Sequence, residues 1–215
     1  DFDTSTDEEG KTIYKLKAGI PYYTANTQPG DPKYKNMDDN LQINDADKVA
    51  IGNGQPKHTG GFTNNFTYKN FDLNIFMTWS YGNDILNANR MVFENPSSKQ
   101  NTNMFATYVN RWTESNPYSD MPRAKAQGAG EYSSLYVEDG SFLKLKNITL
   151  GYNFKPKTLH PLHISSARVY VSAENIATIS SYSGVSTRNS VLTPGFDWSA
   201  YPRAFNLSLG LNVTF

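Results

Sequence analysis

The feature that most constrains this chain is an unbroken alternation near its end. Phe205, Leu207, Leu209, Leu211, Val213 and Phe215 take every second position, and Asn206, Ser208, Gly210, Asn212 and Thr214 fill the places between. A period of two predicts a β-strand. One stripe is continuously apolar and the other small and polar, which suits a strand with one side in hydrocarbon and the other toward water. The length also fits a tilted crossing of a bilayer. A half-buried strand of a soluble sandwich would show the same stripe, so this segment alone leaves both architectures open.

Other segments repeat the pattern. Phe71, Leu73, Ile75, Met77 and Trp79 share one face of a predicted strand, opposite Asp72, Asn74, Phe76, Thr78 and Ser80. Residues 58–68 alternate before it, and the tight Lys69-Asn70 link makes the two a hairpin. Ile148, Leu150, Tyr152 and Phe154 form a further stripe, as do Val169, Val171 and Ala173, whose opposite face carries Arg168, Tyr170, Ser172 and Glu174. Charge on that second face points to water there. A weaker strand is expected over 11–18, centred on Ile13, giving about six in all.

The connections alternate between short and long. Lys69-Asn70 and 155–166 are short, whereas 20–57, 82–141 and 178–202 are long and are expected to be extracellular loops. That is the arrangement of an outer-membrane barrel, with short periplasmic turns and longer external loops. Six strands are too few to close a transmembrane barrel, because eight is the smallest bacterial count and an open edge in lipid leaves backbone groups unsatisfied. The expectation is therefore an all-β chain, 1–215, forming the C-terminal strands of a single larger transmembrane antiparallel barrel domain whose plug and earlier strands are absent.

Composition narrows the functions. Asn, Thr and Ser together make 60 of 215 residues, and with 14 Tyr and 12 Phe they favour strands joined by generous loops. Lys plus Arg balance Asp plus Glu at 20 each, so no field steers the chain onto nucleic acid. The absence of cysteine excludes disulfides, thiolate metal sites and a thiol nucleophile. Residues 1–4 lack the charged and apolar regions of a signal peptide, so a mature chain or a piece is expected.

Several motifs occur in a familiar order. Pro29-Gly30-Asp31-Pro32-Lys33-Tyr34-Lys35, Ile51-Gly52-Asn53, Pro56-Lys57-His58-Thr59-Gly60-Gly61-Phe62 and Tyr68-Lys69-Asn70-Phe71-Asp72-Leu73 are followed by Arg111-Trp112-Thr113 and Asn116-Pro117. Residues 136–152 and 168–175 complete the series. From about Gly30 to Phe215 the chain resembles the C-terminal third of SusC/RagA-type TonB-dependent transporters of Bacteroidetes. The resemblance implies a 22-stranded barrel with an N-terminal plug, capped by a SusD-like surface lipoprotein and importing oligosaccharides or peptides with energy from TonB. Its implied location is the Gram-negative outer membrane. Implied partners are the rest of the barrel and plug, the lipoprotein, TonB through the missing N-terminal part, and membrane lipid. Phe215 matches the family's terminal aromatic, and the stripe Phe205, Leu207, Leu209, Leu211, Val213 and Phe215 is its expected assembly signal.

Three groups of residues carry candidate chemistry. Read as a calcium loop, 36–47 places Asn36, Asp38, Asn40, Gln42, Asn44 and Asp47 at the ligand positions. The loop is degenerate: Leu41 stands where glycine makes the sharp turn, and Asp47 replaces the bidentate Glu. Calcium at this loop is the sole cofactor considered, and the alternative is a turn held by local side-chain to backbone bonds. Trp112, Tyr118, Tyr182 and Trp198, with Tyr22 and Tyr23, are the aromatics that could stack on cargo or anchor a capping partner. Met104, Tyr108 and Trp112 at i, i+4 and i+8 predict a short helix over 103–112.

Catalysis is not expected. His160 and His163 sit in a proline-containing turn without a nearby carboxylate, and Glu138 and Asp139, as strand neighbours, point to opposite faces. The competing reading is a soluble or surface carbohydrate-binding β-sandwich, which would bury the same stripes against each other and bind glycan through the loop aromatics.

Overall fold

The computed structural model describes residues 1–95, 103–184, 194–199 and 201–215. The stretches 96–102, 185–193 and 200, parts of two predicted loops, lie outside the described residues. In chain order the strands are β1 (Phe2–Thr6), β2 (Thr12–Leu16), β3 (His58–Tyr68), β4 (Phe71–Tyr81), β5 (Asp84–Asn87), β6 (Val137–Asp139), β7 (Phe142–Asn153), β8 (Ser166–Ser180), β9 (Phe196–Asp197) and β10 (Asn206–Thr214). Two short α-helices are α1 (Ala88–Phe93) and α2 (Pro156–Leu159). Among the described residues no helix is long and apolar enough to cross a membrane.

The chain divides into two compact units, one of Asp1–Ile51 with Asn87–Val137, the other of Gly52–Leu86 with Glu138–Phe215. The second unit is built on a five-stranded antiparallel sheet in the order β10-β8-β7-β4-β3. Its register puts the predicted stripes side by side. Leu73 stands opposite Leu150 and Phe66, Leu150 opposite Val171, and Val171 opposite Leu209. Asn64, opposite Ile75, breaks the apolar row in β3. The links 69–70 and 154–165 lie at one end of this sheet, and the connections 82–141 and 181–205 leave from the other.

The apolar face is not a buried core. Leu209 is 80% exposed and Phe66 54%, and Leu207, Leu211, Phe62 and Phe71 are exposed as well. A soluble sandwich would cover such residues with a second sheet. Aromatic rings mark both ends of the stripe. Phe71 packs on Tyr152 at 4.8 Å between centroids, and Tyr152 on Phe154 at 5.3 Å. At the far end the Trp79 indole nitrogen donates to His58 Nδ1 at 3.2 Å.

Three expectations change. The strand expected over 11–18 forms as β2, but it pairs with β1 in a separate two-stranded sheet, so the main sheet has five strands rather than six. Its residues Thr12 to Leu16 alternate only weakly, and the local partner Phe2–Thr6, five residues upstream, competes at little loop-closure cost. The helix predicted over 103–112 is a single 3-10 segment, Ala106–Asn110. Thr107, Val109 and Asn110 are poor helix formers and Phe105 brings no capping side chain. The long connections 82–141 and 178–202, expected as loops with one short helix over 103–112, also contribute β5, β6 and β9, which join in a small sheet of order β6-β5-β9.

Candidate functional site

The polar face of the five-stranded sheet carries a hydrogen-bonded lining. Asp72 on β4 accepts from Arg168 on β8 twice, Nη2 to Oδ2 at 2.6 Å and Nε to Oδ1 at 3.1 Å, and from Asn153 Nδ2 at 3.0 Å. Both partners reach over Gly151 on the intervening β7, where a Cβ would overlap the Arg168 guanidinium and the Asp72 carboxylate. One residue pair further up, Asn147 Nδ2 donates to Ser172 Oγ at 3.0 Å and Thr149 Oγ1 to Asn147 Oδ1 at 3.1 Å. Asn74 Nδ2 donates to Asn65 Oδ1 at 2.6 Å. Every one of these groups follows from strand parity: they occupy the positions between the apolar ones.

In the other unit the Pro-Gly-Asp-Pro motif closes on the 111–127 segment. Asp31 accepts from Arg123 Nε at 2.6 Å and from the backbone N–H of Gln127 and Gln28 at 3.1 and 2.9 Å. Its side chain is 1% exposed, so this is a buried, fully paired carboxylate. Gly30 precedes it at φ +84, and the Trp112 indole lies against its α-carbon so closely that a Cβ would overlap the ring. The Trp112 N–H donates to Met121 O at 2.9 Å. A second tie joins α1 to its surroundings: Glu94 accepts from Arg90 Nε at 2.9 Å and from Thr107 Oγ1 at 2.8 Å. Tyr136 donates to Ala129 O at 2.5 Å, and burial pushes its hydroxyl up to about 12.

The expected aromatic contacts fall into two groups. Tyr118 is 94% exposed and Trp198 is also exposed, so their rings face outward. Trp112 packs on Gly30, and Tyr182, 7% exposed, turns inward and donates to Asp197 Oδ2 at 2.6 Å. Leu207, Leu209 and Leu211 lie on the exposed face of β10, as the alternation requires; Phe205 and Phe215 lie just outside the strand and are exposed.

The 36–47 loop is closed by its own side chains. Asn36 Oδ1 accepts from the Asp38 N–H at 3.2 Å, Asp38 Oδ1 from Asn40 at 3.0 Å and Asn40 Oδ1 from Gln42 at 2.9 Å. Asn44 caps the 3-10 turn Asp45–Asp47, and Asp47 in return accepts from Asn44 N–H at 2.8 Å and Met37 N–H at 2.7 Å. Those two amides hold the Asp47 carboxyl below the usual carboxylate range. Among the described residues no three His, Cys, Asp or Glu side chains are grouped as metal ligands. Glu138 and Asp139 serve as acceptors for Ser183 Oγ at 2.8 Å and Ser181 Oγ at 3.2 Å respectively.

Sequence reasoning missed the Asp31–Arg123 pair, because residues 92 positions apart meet only through the fold. The Asp72–Arg168 pair left a readable trace: both occupy polar positions of alternating strands near the same end of their hairpins.

The fold of this chain, a sheet with one polar, bonded face and one uncovered apolar face, recurs in solved structures. A chain of the RagAB peptide transporter superimposes with a TM-score of 0.71 at 23% identity, covering 100% of this chain and 22% of that one. Curated sequences are similar over most of the chain. TonB-dependent receptor P3 of Formosa agariphila is 32% identical, over 96% of this chain and 21% of its own length. TonB-dependent receptor SusC of Bacteroides thetaiotaomicron is 29% identical, over 90% of this chain and 18% of its own length. No protein-family model matches. Over most of its length the chain is similar in sequence to proteins named TonB-dependent receptors, SusC among them, and it spans about a fifth of the length of the curated relatives it matches. Those relatives are named as receptors, not as enzymes.

Proposed function

We propose that this chain supplies barrel-wall strands and external loops of a SusC-like TonB-dependent transporter in a Gram-negative outer membrane, importing oligosaccharides or peptides. The observation that carries the reading is the uncovered apolar face running across five registered strands, with the bonded polar face behind it. Lipid is the solvent that makes such a face favourable. An eleven-residue strand such as β4 rises about 34 Å at about 3.4 Å per residue, or about 26 Å along the membrane normal at a tilt of about 40°, close to the height of the apolar band of such barrels. Aromatic rings at both ends of the band sit where interfacial girdles belong.

The edges β3 and β10 have no partner in this sheet, and unpaired strand edges are not stable in hydrocarbon. The remaining strands, a plug and the link to TonB therefore come from polypeptide beyond this chain. The connections 82–141 and 181–205 leave from the same end of the sheet, the outward end on this reading, and Tyr118 on the first and Trp198 on the second are each exposed and each offer a SusD-like lipoprotein or cargo a flat aromatic surface.

The test is extraction of source membranes in mild detergent, isolation of the particle that holds this chain, and measurement of its denatured masses. Polypeptide sufficient for the missing strands and plug, held in a detergent-dependent particle, is the expected result. A detergent-independent monomer of about the 24.1 kDa of this chain alone would replace the transporter with a soluble β-domain.

A further inference from the structure

We infer that the polar face of the sheet carries a site for an oxyanion group, a carboxylate or sulfate, borne by the solute that enters the barrel; this rests on the transporter reading above. The site lies at the end of the sheet from which the long connections leave. Lys144 and Lys146 of β7 and Arg203, just before β10, converge there on a cavity of about 280 Å³ whose wall also includes Asn175, Thr178 and Ser180.

The backbone is shaped to gather these cations. Between Leu145 and Asn147 the register of β7 shifts against both neighbours: against β4 Lys146 is the extra residue, and against β8 Lys146 stands alone across from Asn175 and Ile176. Lys144 pairs with Thr78 and Thr178 on the polar face, and the Lys146 ammonium lies 5.8 Å from the ring of Phe76, on that same face. A bulge of this kind re-aims a side chain without breaking the sheet. On β8 the matching irregularity falls at Asn175, which adopts the left-handed φ of +53 and donates through Nδ2 to Ala204 O at 3.0 Å. That bond ties the segment carrying Arg203 to the rim of the cavity. The Phe142 ring sits 4.2 Å beneath the Lys144 ammonium, so an aromatic surface supports each lysine.

What distinguishes the three is that they line one cavity together without a counter-charge. Arg90, Arg123 and Arg168 are matched by Glu94, Asp31 and Asp72. Among the described residues no carboxylate lies within 4.0 Å of Lys144, Lys146 or Arg203. The one acid on β8, Glu174, stands opposite Asn147 and Asn206 and makes no ion pair with them. Like charges crowded in a concave, partly desolvated wall repel, and an anion placed between them removes that cost. Arg203 offers the planar fork that fits carboxylate or sulfate, and the lysines add point charges. Lipid headgroups are an unsuitable source, since Lys144 and Lys146 are on the face opposite the hydrocarbon stripe. The cavity is slightly smaller than usual ligand pockets of about 300 Å³ or more, so it accepts one charged residue of a longer solute rather than the whole.

The experiment uses the intact transporter with its partner chains in detergent, unaltered and as the triple variant Lys144→Gln, Lys146→Gln, Arg203→Gln. Calorimetry is run with a uronic-acid oligosaccharide, a sulfated oligosaccharide, an acidic peptide and the uncharged counterpart of each. The expected result is that at least one acidic probe binds the unaltered particle more tightly than its counterpart, with affinity falling as salt rises. In the triple variant that probe should lose about tenfold or more while uncharged probes are unchanged. The single variant Arg203→Glu should lose at least as much, which guards against misfolding of the triple variant. No preference for any acidic probe, or equal preference in the unaltered and variant particles, overturns the site. Failure of the transporter reading would show separately, as a particle that needs neither detergent nor partner chains.

Discussion

The five-stranded sheet and the unit formed by Asp1–Ile51 and Asn87–Val137 are held together by opposite means. In the sheet, long backbone ladders do the work, and the largest apolar side chains point away from the protein. Among the described residues the other unit has the β1–β2 ladder and is otherwise tied by side chains bonded across its loops, with Asp31, Glu94, Asp47 and Tyr136 each closing a loop. The contrast teaches where each region's stability comes from. On the transporter reading proposed above, the sheet's apolar face meets lipid and needs no internal core, so its sequence is free to be a plain alternation. The loop-rich unit instead buries a few polar groups on paired partners, Asp31, Glu94 and the Tyr136 hydroxyl among them, while the buried hydroxyls of Thr24 and Tyr108 have none.

Removing one of those internal partners should give the largest effect. Asp31→Ala leaves Arg123, whose side chain is 20% exposed, without its carboxylate and frees two backbone N–H groups. Breaking a buried pair in this way costs about 3–5 kcal/mol. The loss should be local: limited proteolysis of the intact particle should cut the 28–35 and 111–127 segments faster, while the barrel keeps its resistance to heat in detergent. Loss of both together would mean that the two regions are not stabilised independently.

The sheet side of the comparison is sharpened by moving one charge across it. Leu209→Arg should destabilise the inserted barrel by about 2–4 kcal/mol if that position faces mid-bilayer, and Asn212→Arg should be near neutral. Equilibrium unfolding from lipid or detergent reads both, and equal effects would reverse or abolish the assignment of faces. That this test can be designed at single-residue level shows how much of the sheet was legible. Parity in the sequence 205–215 placed Leu209 and Asn212 on opposite faces, and the register of β10 against β8 keeps them there. Parity is a local property and survives folding. The Asp31–Arg123 tie depends on where two loops meet, which no local pattern encodes. The bulge beside Lys144 is not legible either: in the sequence Lys144 and Lys146 stand in phase with the apolar Ile148 and Leu150, and only the extra residue puts Lys144 on the polar face.

The smallest expected effect concerns the 36–47 loop, where the loop unit's way of satisfying itself competes with a metal. Asn36, Asp38 and Asn40 each already give a side-chain oxygen to a backbone N–H two residues on, and Asp47 uses both of its oxygens on Met37 and Asn44. Calcium would have to displace bonds that the loop supplies without cost in solvent. Titration of the intact particle with millimolar calcium should therefore give no heat attributable to this loop, and heat abolished by Asp38→Ala would overturn the expectation. The same loop should answer to acid instead. Because the Met37 and Asn44 amides favour ionised Asp47, its folded pKa lies below the unfolded value of about 3.9. The closure it contributes is complete above that value and is lost as pH falls through the lower, folded one. Amide exchange at Met37 and Asn44 should rise below about pH 4 relative to the intrinsic rate at each pH, and Asp47→Asn should already show the faster exchange at neutral pH.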